Sequence, residues 1–480
     1  MAAPVAFGEP RNLIDGRLAP SSSGATFENR NPATEETLGV TADGTREDMD
    51  AAIAAARRAF DATGWSEDAA LRARCLRQLH AACVEALEEL RQVVVAEAGS
   101  PILLTHGVQC AGSIEDLRYW ADLAESYPYE QRIADSSFMG QPQRRILRRE
   151  AAGVVGAITP WNFPLYLNLA KLGPALAAGC TIVLKPAPDT PWSATVLGRL
   201  VAEKTEIPAG VVNVVASADH AVGEPLAADP RVDMVTFTGS TQTGGRIMEL
   251  ASRTVKKVFL ELGGKSAHVV LDDAPASVWG QGALVCTHGG QGCALTSRML
   301  VPRSRYGEAV EALAAVFRKA RVGEPTDPSV LQGPQVSKRQ QERVLAYIEK
   351  GRAEGARLLV GGGRPAHLPR GWYVEPTLFV DVDPDHTIAQ EEIFGPVLAV
   401  LPYDGGDDEA VRIANHSIFG LSGAVSSASE ERALAVARRI RTGTLSVNGG
   451  VWFSVDTPFG GYKQSGVGRE NGRMGFEEYL

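Results

Sequence analysis

Short apolar runs alternate with helical patterns through the middle of the chain. Strand-like runs lie at residues 153–158, 181–185, 211–215, 234–238 and 257–261, and the segments between them place apolar residues at three- and four-residue steps. Strands separated by helices are joined by crossover connections, which predicts a parallel sheet of the α/β class. Because ligands bind at the carboxyl ends of parallel strands, the residues after each run are the candidates for function.

The flanking regions extend this pattern. Residues 51–98 carry alanines and leucines at helical spacing. Residues 127–149 are polar and predict a projecting hairpin. From residue 267 onward a second α/β region begins. Its strand-like runs lie near residues 268–272, 298–302 and 396–403.

Composition and charge narrow the class of protein. A chain of 480 residues with 44% hydrophobic and 22% charged residues is long enough for two large globular domains. The net charge of -9 disfavours nucleic acid as a partner. The N-terminus has no apolar core and the apolar stretch 151–184 is interrupted, so we expect no signal peptide, no membrane span and a cytoplasmic protein. The six cysteines form no CxxC pair, which predicts reduced thiols and no metal site.

Seven motifs follow one another along the chain. They are TPWNFP (159–164), KPA (185–187), FTGSTQTG (237–244), LELGGKS (260–266), GQGC (290–293), EEIFGPV (391–397) and PFGGYKQSG (458–466). In this order they resemble the aldehyde dehydrogenase superfamily over essentially the whole chain from Leu13. The resemblance implies a Rossmann-type parallel-sheet cofactor domain, an α/β catalytic domain and a small β oligomerisation arm. It also implies NAD as cofactor, an aldehyde as substrate, and a homodimer or homotetramer.

The resemblance divides the chain into three parts. Residues 1–127 and 150–260 are expected to form the cofactor-binding domain, and residues 261–456 the catalytic domain. Residues 128–149 and 457–480 are expected to form the arm that bridges subunits. The chain ends at GFEEYL, where relatives usually continue with one more strand, so we expect weaker association between subunits.

Cys293 lies in a loop between Gly292 and Ala294. An isolated cysteine is usually a small buried hydrophobe. In a glycine-lined loop, however, the backbone can approach a ligand closely and leave the sulfur uncovered, and a thiolate is a potent nucleophile toward a carbonyl. The resemblance implies that Cys293 is the nucleophile, whereas Cys286, in an apolar run, is expected to be a core residue.

Glu261 and Asn162 are the other two catalytic candidates. Glu261 ends an apolar strand, and it is either a solvated turn residue or, when partly buried, a general base with a raised pKa. The two glycines at 263 and 264 indicate a backbone that yields to something large, such as a nicotinamide ring. Asn162 lies between two prolines and is either a turn residue or an amide donor to an oxyanion. The resemblance implies the catalytic role for both.

The candidate cofactor residues follow the strands. The segment 239–244 follows a strand and opens a helix, which suits a pyrophosphate at a helix N-terminus. The resemblance implies that Lys185 reaches the adenosine ribose, and that Glu392 holds the nicotinamide ribose beside Phe394. The full predicted set is Thr159, Pro160, Trp161, Lys185, Gly239, Ser240, Gly244, Leu262, Gly263, Glu392 and Phe394.

Two positions depart from the family pattern. Pro188 stands where members that strongly prefer NAD usually carry Glu, so NADP stays open as a second cofactor. His288 stands where the loop motif usually begins with Asn, and no catalytic role is assigned to it.

Two alternatives to a hydrolytic aldehyde dehydrogenase stay open: a coenzyme A-acylating semialdehyde dehydrogenase, and a non-catalytic relative with the same fold. Glu261 favours hydrolysis, because the acylating branch typically lacks it. An apolar entry tunnel favours aromatic or medium aliphatic aldehydes over charged semialdehydes. Its predicted lining is Phe163, Leu167, Phe453 and Phe459, with Trp161 and Trp452 nearby.

Overall fold

The computed structural model describes residues 7–449 and 453–480, which form two large sheets and two small ones with helices around them. The strands are β1 Asn12–Ile14, β2 Arg17–Ala19, β3 Thr26–Arg30, β4 Thr37–Ala42, β5 Glu130–Phe138, β6 Gln141–Arg148, β7 Val154–Ile158, β8 Thr181–Lys185, β9 Val212–Val214, β10 Met234–Thr238, β11 Lys257–Glu261, β12 Ser266–Val270, β13 Thr296–Pro302, β14 Arg357–Val360, β15 Thr377–Val380, β16 Val397–Tyr403, β17 Gly423–Ser426, β18 Ser446–Val447 and β19 Gly466–Val467. The α-helices are α1 Arg46–Ala62, α2 Ala69–Glu85, α3 Leu87–Ala98, α4 Ala111–Ser126, α5 Pro164–Ala178, α6 Trp192–Lys204, α7 Glu224–Ala228, α8 Thr241–Ala251, α9 Tyr306–Lys319, α10 Lys338–Ala353, α11 Thr387–Gln390, α12 Gly406–Asn415, α13 Glu430–Ala437 and α14 Gly472–Glu477.

The first sheet has the strand order β19-β11-β10-β7-β8-β9-β1-β2. Strands β11, β10, β7, β8 and β9 run parallel, whereas β19, β1 and β2 are antiparallel to their neighbours. The five parallel strands are the five predicted runs, and their bounds differ by at most one residue at either end. Every residue of β8 and β10 is buried, because a parallel sheet is covered on both faces. The predicted α/β class with a parallel sheet is therefore confirmed.

The strand order reverses beside β7. From β7 the chain moves outward to β8 and β9 on one side, and it then returns to place β10 and β11 on the other. The carboxyl ends of β7 and β10 therefore border a crevice, which is where doubly wound sheets bind their ligands. Thr159 follows β7 and Gly239 follows β10, so two of the predicted motifs contribute residues to this crevice.

The second sheet has the order β14-β15-β16-β13-β12-β17-β18, and only β14 is antiparallel to its neighbour. Strands β12, β13 and β16 overlap the three predicted runs of this region. A 3-10 segment, Ala276–Gly290, leads into the loop that precedes β13. The second sheet thus presents the loop that carries Cys293.

Strands β5 and β6 form an antiparallel hairpin that pairs Glu130 with Arg148 at its base and Phe138 with Gln141 at its tip. Every residue of β6 is exposed, so the hairpin predicted within 127–149 is confirmed. Phe138 and the neighbouring Met139 expose apolar side chains at the tip. The role of the hairpin in subunit contacts and the division of the chain into domains stay predictions.

The C-terminal residues return to the first sheet. Strand β19 forms the edge of this sheet, where it pairs with β11 and aligns Gly466 with Glu261. Helix α14 contacts α5, and Phe476 and Tyr479 are buried in the hydrophobic core that α5 shares. The last residues of the chain therefore form one side of the region around Glu261.

Candidate active site

Three connected cavities lie at the carboxyl ends of the parallel strands. The first, of about 270 Å³, is lined by Cys293, Glu261 and Asn162, and we call it the substrate tunnel. The middle cavity, of about 380 Å³, shares Asn162 and Cys293 with the tunnel. The outer cavity, of about 570 Å³, shares Trp161 and Gly239 with the middle cavity. The structure thus brings the three predicted catalytic residues together in the tunnel, and Asn162 and Cys293 lie where the tunnel meets the middle cavity.

The loop before Cys293 has an uncommon backbone conformation. His288, Gly289 and Gly290 have φ angles of 54°, 63° and 75°, all in the left-handed region. A Cβ at Gly290 would lie 2.0 Å from the carbonyl carbon of Gly395, so only glycine fits there. Of the six cysteines, Cys293 is partly exposed and the other five are buried, including Cys286 in its predicted core position.

The thiol of Cys293 lies among acidic groups. Burial raises the pKa of this thiol far above its ordinary value, and the carboxylates of Glu261, Glu392 and Glu470 raise it further. The uncharged thiol is therefore the resting form of the protein without ligands. Formation of the nucleophilic thiolate requires a group nearby that accepts the proton.

Glu261 is the last residue of β11 and is buried. Neither of its carboxylate oxygens has a hydrogen-bond partner among the described residues. Burial raises the pKa of Glu261 well above its ordinary value and the Glu470 carboxylate adds to the shift, whereas Lys171 and Arg469 oppose it. A buried carboxyl group with a raised pKa holds a proton more tightly than a solvated one, which suits a general base.

The two glycines after Glu261 make room for protein groups. A Cβ at Gly263 would lie 2.5 Å from Glu392 Oε2, and one at Gly264 would lie 2.6 Å from the main-chain oxygen of Cys293. The Gly264 N–H also donates to Glu392 Oε1 at 2.9 Å. Glu392 and the Cys293 backbone are therefore close protein neighbours that require glycine here, and the approach of a nicotinamide ring to this backbone stays a prediction.

A buried ion pair beside Glu261 was not predicted. Lys171 Nζ lies 2.5 Å from Glu470 Oε1, and the two side chains are 0% and 4% exposed. Lys171 also lies over the ring of Phe259 at 4.4 Å from its centroid, and Glu470 lines the substrate tunnel. The signal in the sequence was Lys171, the only charged residue of the mostly apolar helix α5, because a buried charge requires a partner.

The side chain of Asn162 is held by one hydrogen bond and keeps one donor free. Its Nδ2 donates to the main-chain oxygen of Gln291 at 2.9 Å, and an amide nitrogen carries two hydrogens. The main-chain oxygen of Asn162 accepts from Gln109 Nε2 at 3.1 Å and lies 2.7 Å from His288 Nε2. Neither Gln109 nor a hydrogen-bonding role for His288 is among the predictions from the sequence.

Ten of the eleven predicted cofactor residues line the middle or the outer cavity. Leu262, Gly263, Glu392 and Phe394 line the middle cavity, Thr159 and Lys185 line the outer cavity, and Pro160, Trp161, Gly239 and Ser240 line both. Gly244 lines neither. A Cβ at this position would lie 2.6 Å from Leu262 Cδ2, so Gly244 allows α8 to pack closely against Leu262.

The outer cavity contains several positively charged groups. Ser240 is the N-cap of α8, and this end of the helix faces the cavity. Lys185 is buried at the end of β8, and burial lowers its pKa to about 8. Arg246 and Arg339, which the sequence did not identify, also line the cavity. A helix N-terminus beside these cations suits a phosphate-containing ligand.

The middle cavity combines a carboxylate with aromatic rings. Burial raises the pKa of Glu392 to about 7, although the hydrogen bond from the Gly264 N–H opposes the shift. Phe394 has a φ angle of 60°, and its ring meets that of Trp161 edge to face at 5.3 Å. These groups lie between the outer cavity and Cys293.

The substrate tunnel is apolar. Phe163, Leu167, Phe453 and Phe459 line it, in agreement with the prediction, and the rings of Phe453 and Phe459 are 4.9 Å apart. Trp161 lines the middle and outer cavities instead, and Trp452 lies outside the described residues. Within residues 7–449 and 453–480, no lysine or arginine side chain lines the tunnel.

Arg298, five residues after Cys293, is buried within β13. Its guanidinium donates to the main-chain oxygens of Lys265, Ile413 and Ala414, so it is not available to a substrate carboxylate. Among the described residues, no cluster of three or more His, Cys, Asp and Glu side chains is arranged to hold a metal ion. None of the described helices has the length and apolar character needed to cross a membrane.

Known proteins share this sequence and geometry. The profile of the aldehyde dehydrogenase family matches residues 19–480. The chain is 44% identical over 473 residues to 3-succinoylsemialdehyde-pyridine dehydrogenase from Pseudomonas sp, with 97% of this chain and 96% of the relative covered. It is 35% identical, with a TM-score of 0.95, to betaine aldehyde dehydrogenase from Staphylococcus aureus in complex with NAD+, with coverage of 98% and 93%. It is 39% identical, with a TM-score of 0.93, to aldehyde dehydrogenase C from Pseudomonas syringae in complex with NAD+ and octanal, with coverage of 100% and 96%.

Proposed function

Because the chain belongs to the aldehyde dehydrogenase family, we propose that it oxidises an aldehyde to a carboxylic acid through a covalent intermediate on Cys293. The predicted family, fold class and enzyme class are confirmed. The observation that carries the mechanism is the presence of Cys293, Glu261 and Asn162 in one tunnel that joins the middle cavity.

In the first half-reaction, the Cys293 sulfur adds to the carbonyl carbon of the aldehyde. We assign the thiol proton to Glu470, which lines the same tunnel and forms an ion pair with Lys171. The aldehyde oxygen becomes an oxyanion, which accepts hydrogen bonds from the free side-chain N–H of Asn162 and from the main-chain N–H of Cys293. Loss of one such donor typically raises the barrier by about 3 kcal/mol.

When bound, a nicotinamide dinucleotide would supply hydride acceptance, which would oxidise the carbon attached to the Cys293 sulfur to a thioester. Glu261 then takes a proton from a water molecule, whose oxygen attacks the thioester carbon. The carbon–sulfur bond breaks, the sulfur leaves as a thiolate, and the carboxylic acid departs. The unpartnered oxygens of Glu261 support this assignment, because no described protein group competes with the water for them.

We propose NAD+ as the oxidant. Lys185 and the N-terminus of α8 would hold the adenosine ribose and the pyrophosphate in the outer cavity, and Glu392 would hold the nicotinamide ribose in the middle cavity. The fit rests on a buried lysine and a helix N-terminus that face one cavity, which together suit the negative charge of a pyrophosphate. The similar enzymes from S. aureus and P. syringae were solved with NAD+.

NADP+ is a second candidate for this chain. Pro188 supplies no carboxylate that would repel a 2′-phosphate, and Arg246 and Arg339 in the outer cavity could attract one.

The tunnel supports an apolar aldehyde as the substrate. Its lining is mostly aromatic and aliphatic, and the described residues give it no cation for a substrate carboxylate. We therefore propose aromatic or medium-length aliphatic aldehydes as the substrate class. The similar enzyme solved with octanal supports the aliphatic choice.

We further propose a homodimer or homotetramer in which the β5–β6 hairpin contacts a second subunit. The exposed apolar side chains of Phe138 and Met139 at its tip support this contact. A cytoplasmic location fits six free cysteines. Light scattering that finds only monomer at micromolar concentration would contradict the assembly.

A panel of aldehydes tests the proposed function. Octanal and benzaldehyde should be oxidised with NAD+ in the absence of coenzyme A, succinic semialdehyde should react more slowly, and Cys293→Ala should be inactive. Absorbance of the reduced cofactor measures each rate. Strict dependence on coenzyme A would favour the acylating alternative, and inactivity toward every aldehyde would favour a non-catalytic relative.

A further inference from the structure

His288, Asn162 and Gln291 form a closed ring of three hydrogen bonds. His288 Nε2 lies 2.7 Å from the main-chain oxygen of Asn162. Asn162 Nδ2 donates to the main-chain oxygen of Gln291 at 2.9 Å. Gln291 Nε2 donates to the main-chain oxygen of His288 at 2.9 Å. Each side chain thus holds the backbone of the next residue, and the third bond closes the ring.

The ring is buried and attached to its surroundings. The exposed fractions of His288, Asn162 and Gln291 are 1%, 4% and 0%. Gln291 Nε2 also donates to the main-chain oxygen of Pro334, and its Oε1 accepts from the Val336 N–H at 2.8 Å. Movement of any member would leave buried polar groups unpaired, so the ring holds its members in one arrangement.

His288 can act only as a hydrogen-bond donor in this ring. Its Nε2 faces a carbonyl oxygen and therefore carries a proton, while its Nδ1 is buried without a partner among the described residues. Burial lowers the pKa of His288 to about 4, which agrees with a neutral imidazole. Thr287 lines the substrate tunnel and His288 does not, so the imidazole lies behind the tunnel wall.

We infer that His288 is a positioning residue that fixes Asn162 so that its free side-chain N–H is directed at the oxyanion. This inference rests on the proposed role of Asn162. His288 acts on Asn162 at two points: its ring holds the Asn162 backbone, and its own main-chain oxygen holds Gln291, which accepts from the Asn162 side chain.

Two substitutions of similar size test the inference. His288→Met removes the donor, whereas His288→Gln keeps a donating nitrogen at a similar distance from the backbone. The readout is the rate of reduced-cofactor formation in the first turnover with octanal and NAD+. Loss of an oxyanion donor typically lowers the rate about 10²–10³-fold. A donor that is only loosened should therefore lower the first-turnover rate of His288→Met about tenfold. The rate of His288→Gln should stay within about threefold of wild type. The affinity for NAD+ should be unchanged in both variants.

The His288→Met substitution made in an Asn162→Ala variant separates a positioning role of His288 from a general structural effect. With no amide left to position, His288→Met should not slow the first turnover further. The inference would be overturned if His288→Met slowed the first turnover equally in the wild-type and Asn162→Ala backgrounds, or if it did not slow it at all. A His288→Gln variant as slow as His288→Met would also overturn it. If Asn162→Ala itself keeps the wild-type rate, the proposed role of Asn162 is wrong instead. His288→Ala repeats the comparison if the Met variant does not fold.

Discussion

Replacing Glu261 with Gln tests the separation of the two half-reactions. Gln has nearly the same shape, and the substitution breaks no hydrogen bond, because neither carboxylate oxygen has a partner among the described residues. It removes the group that takes a proton from water. Loss of a general base typically lowers a rate about 10²–10⁴-fold, or about 3–5 kcal/mol of barrier. Hydrolysis of the thioester should therefore limit turnover.

Rapid mixing of Glu261→Gln with octanal and NAD+ should give a burst of reduced cofactor that approaches one per site, followed by slow turnover. Intact-mass analysis should find an acyl adduct on Cys293, and Cys293→Ala, the matched control, should show neither signal. A Glu261→Gln variant without burst or adduct would refute the reasoning, since Glu261 would then be needed to deprotonate Cys293. Unchanged turnover would show that another group activates the water.

The same substitution should make the thiol easier to ionise. Glu261 is one of the carboxylates that raise the pKa of Cys293, so its removal should lower that pKa and speed alkylation by iodoacetamide at a fixed pH. An unchanged alkylation rate would show that the carboxylate does not influence the sulfur.

Stability should respond to pH with a defined sign. The pKa of Glu261 in the folded protein is raised above the ordinary 4.5, so its contribution to stability is present below that value and is lost as pH rises toward the folded pKa. Gln has no such loss. The free energy of unfolding of Glu261→Gln relative to wild type, measured in urea, should therefore increase as pH rises above 4.5 toward the folded pKa. A difference that does not change with pH would contradict a raised pKa.

The remaining predictions concern three other positions. Iodoacetamide should label Cys293 before the five buried cysteines, and mass spectrometry that finds another cysteine labelled in step with inactivation would exclude Cys293 as the nucleophile. Pro188→Glu should lower kcat/KM for NADP+ relative to NAD+ several-fold, because repulsion between the new carboxylate and the 2′-phosphate is worth about 1 kcal/mol at a screened site. An unchanged ratio would place residue 188 away from the ribose. Lys171→Met should leave the Glu470 charge unpaired and lower the free energy of unfolding by about 3–5 kcal/mol. Lys171→Met/Glu470→Gln should recover most of this loss, and equal losses in the two variants would contradict a paired role.

The sequence predicted the parts of the fold that depend on short segments. The buried strands β7, β8 and β10 are visible as apolar runs, because a strand covered on both faces is apolar along its whole length. The catalytic candidates were visible for a similar reason. Cys293, Glu261 and Asn162 each lie in a distinctive local segment beside a strand or a glycine-rich loop.

Features that depend on distant contacts were not predictable in the same way. Lys171 and Glu470 are separated by 299 residues, and only the fold shows that each is the partner of the other. The requirement for Gly264 was visible, but its cause, the Cys293 backbone, comes from a different loop. His288 was visible as a departure from the family motif, yet its hydrogen bond to the Asn162 backbone joins two segments 126 residues apart.

The pairing of β19 with β11 affects when the protein can become active during translation. Cys293, Glu261 and Asn162 are all synthesised before Gly466, the residue aligned with Glu261 in this pairing, and before Glu470, which lines the tunnel. Until residues 466–471 have left the ribosome, β11 lacks its edge neighbour and the tunnel lacks one wall. A nascent chain therefore carries Cys293 and Glu261 before Glu470, to which we assign the thiol proton, reaches the tunnel.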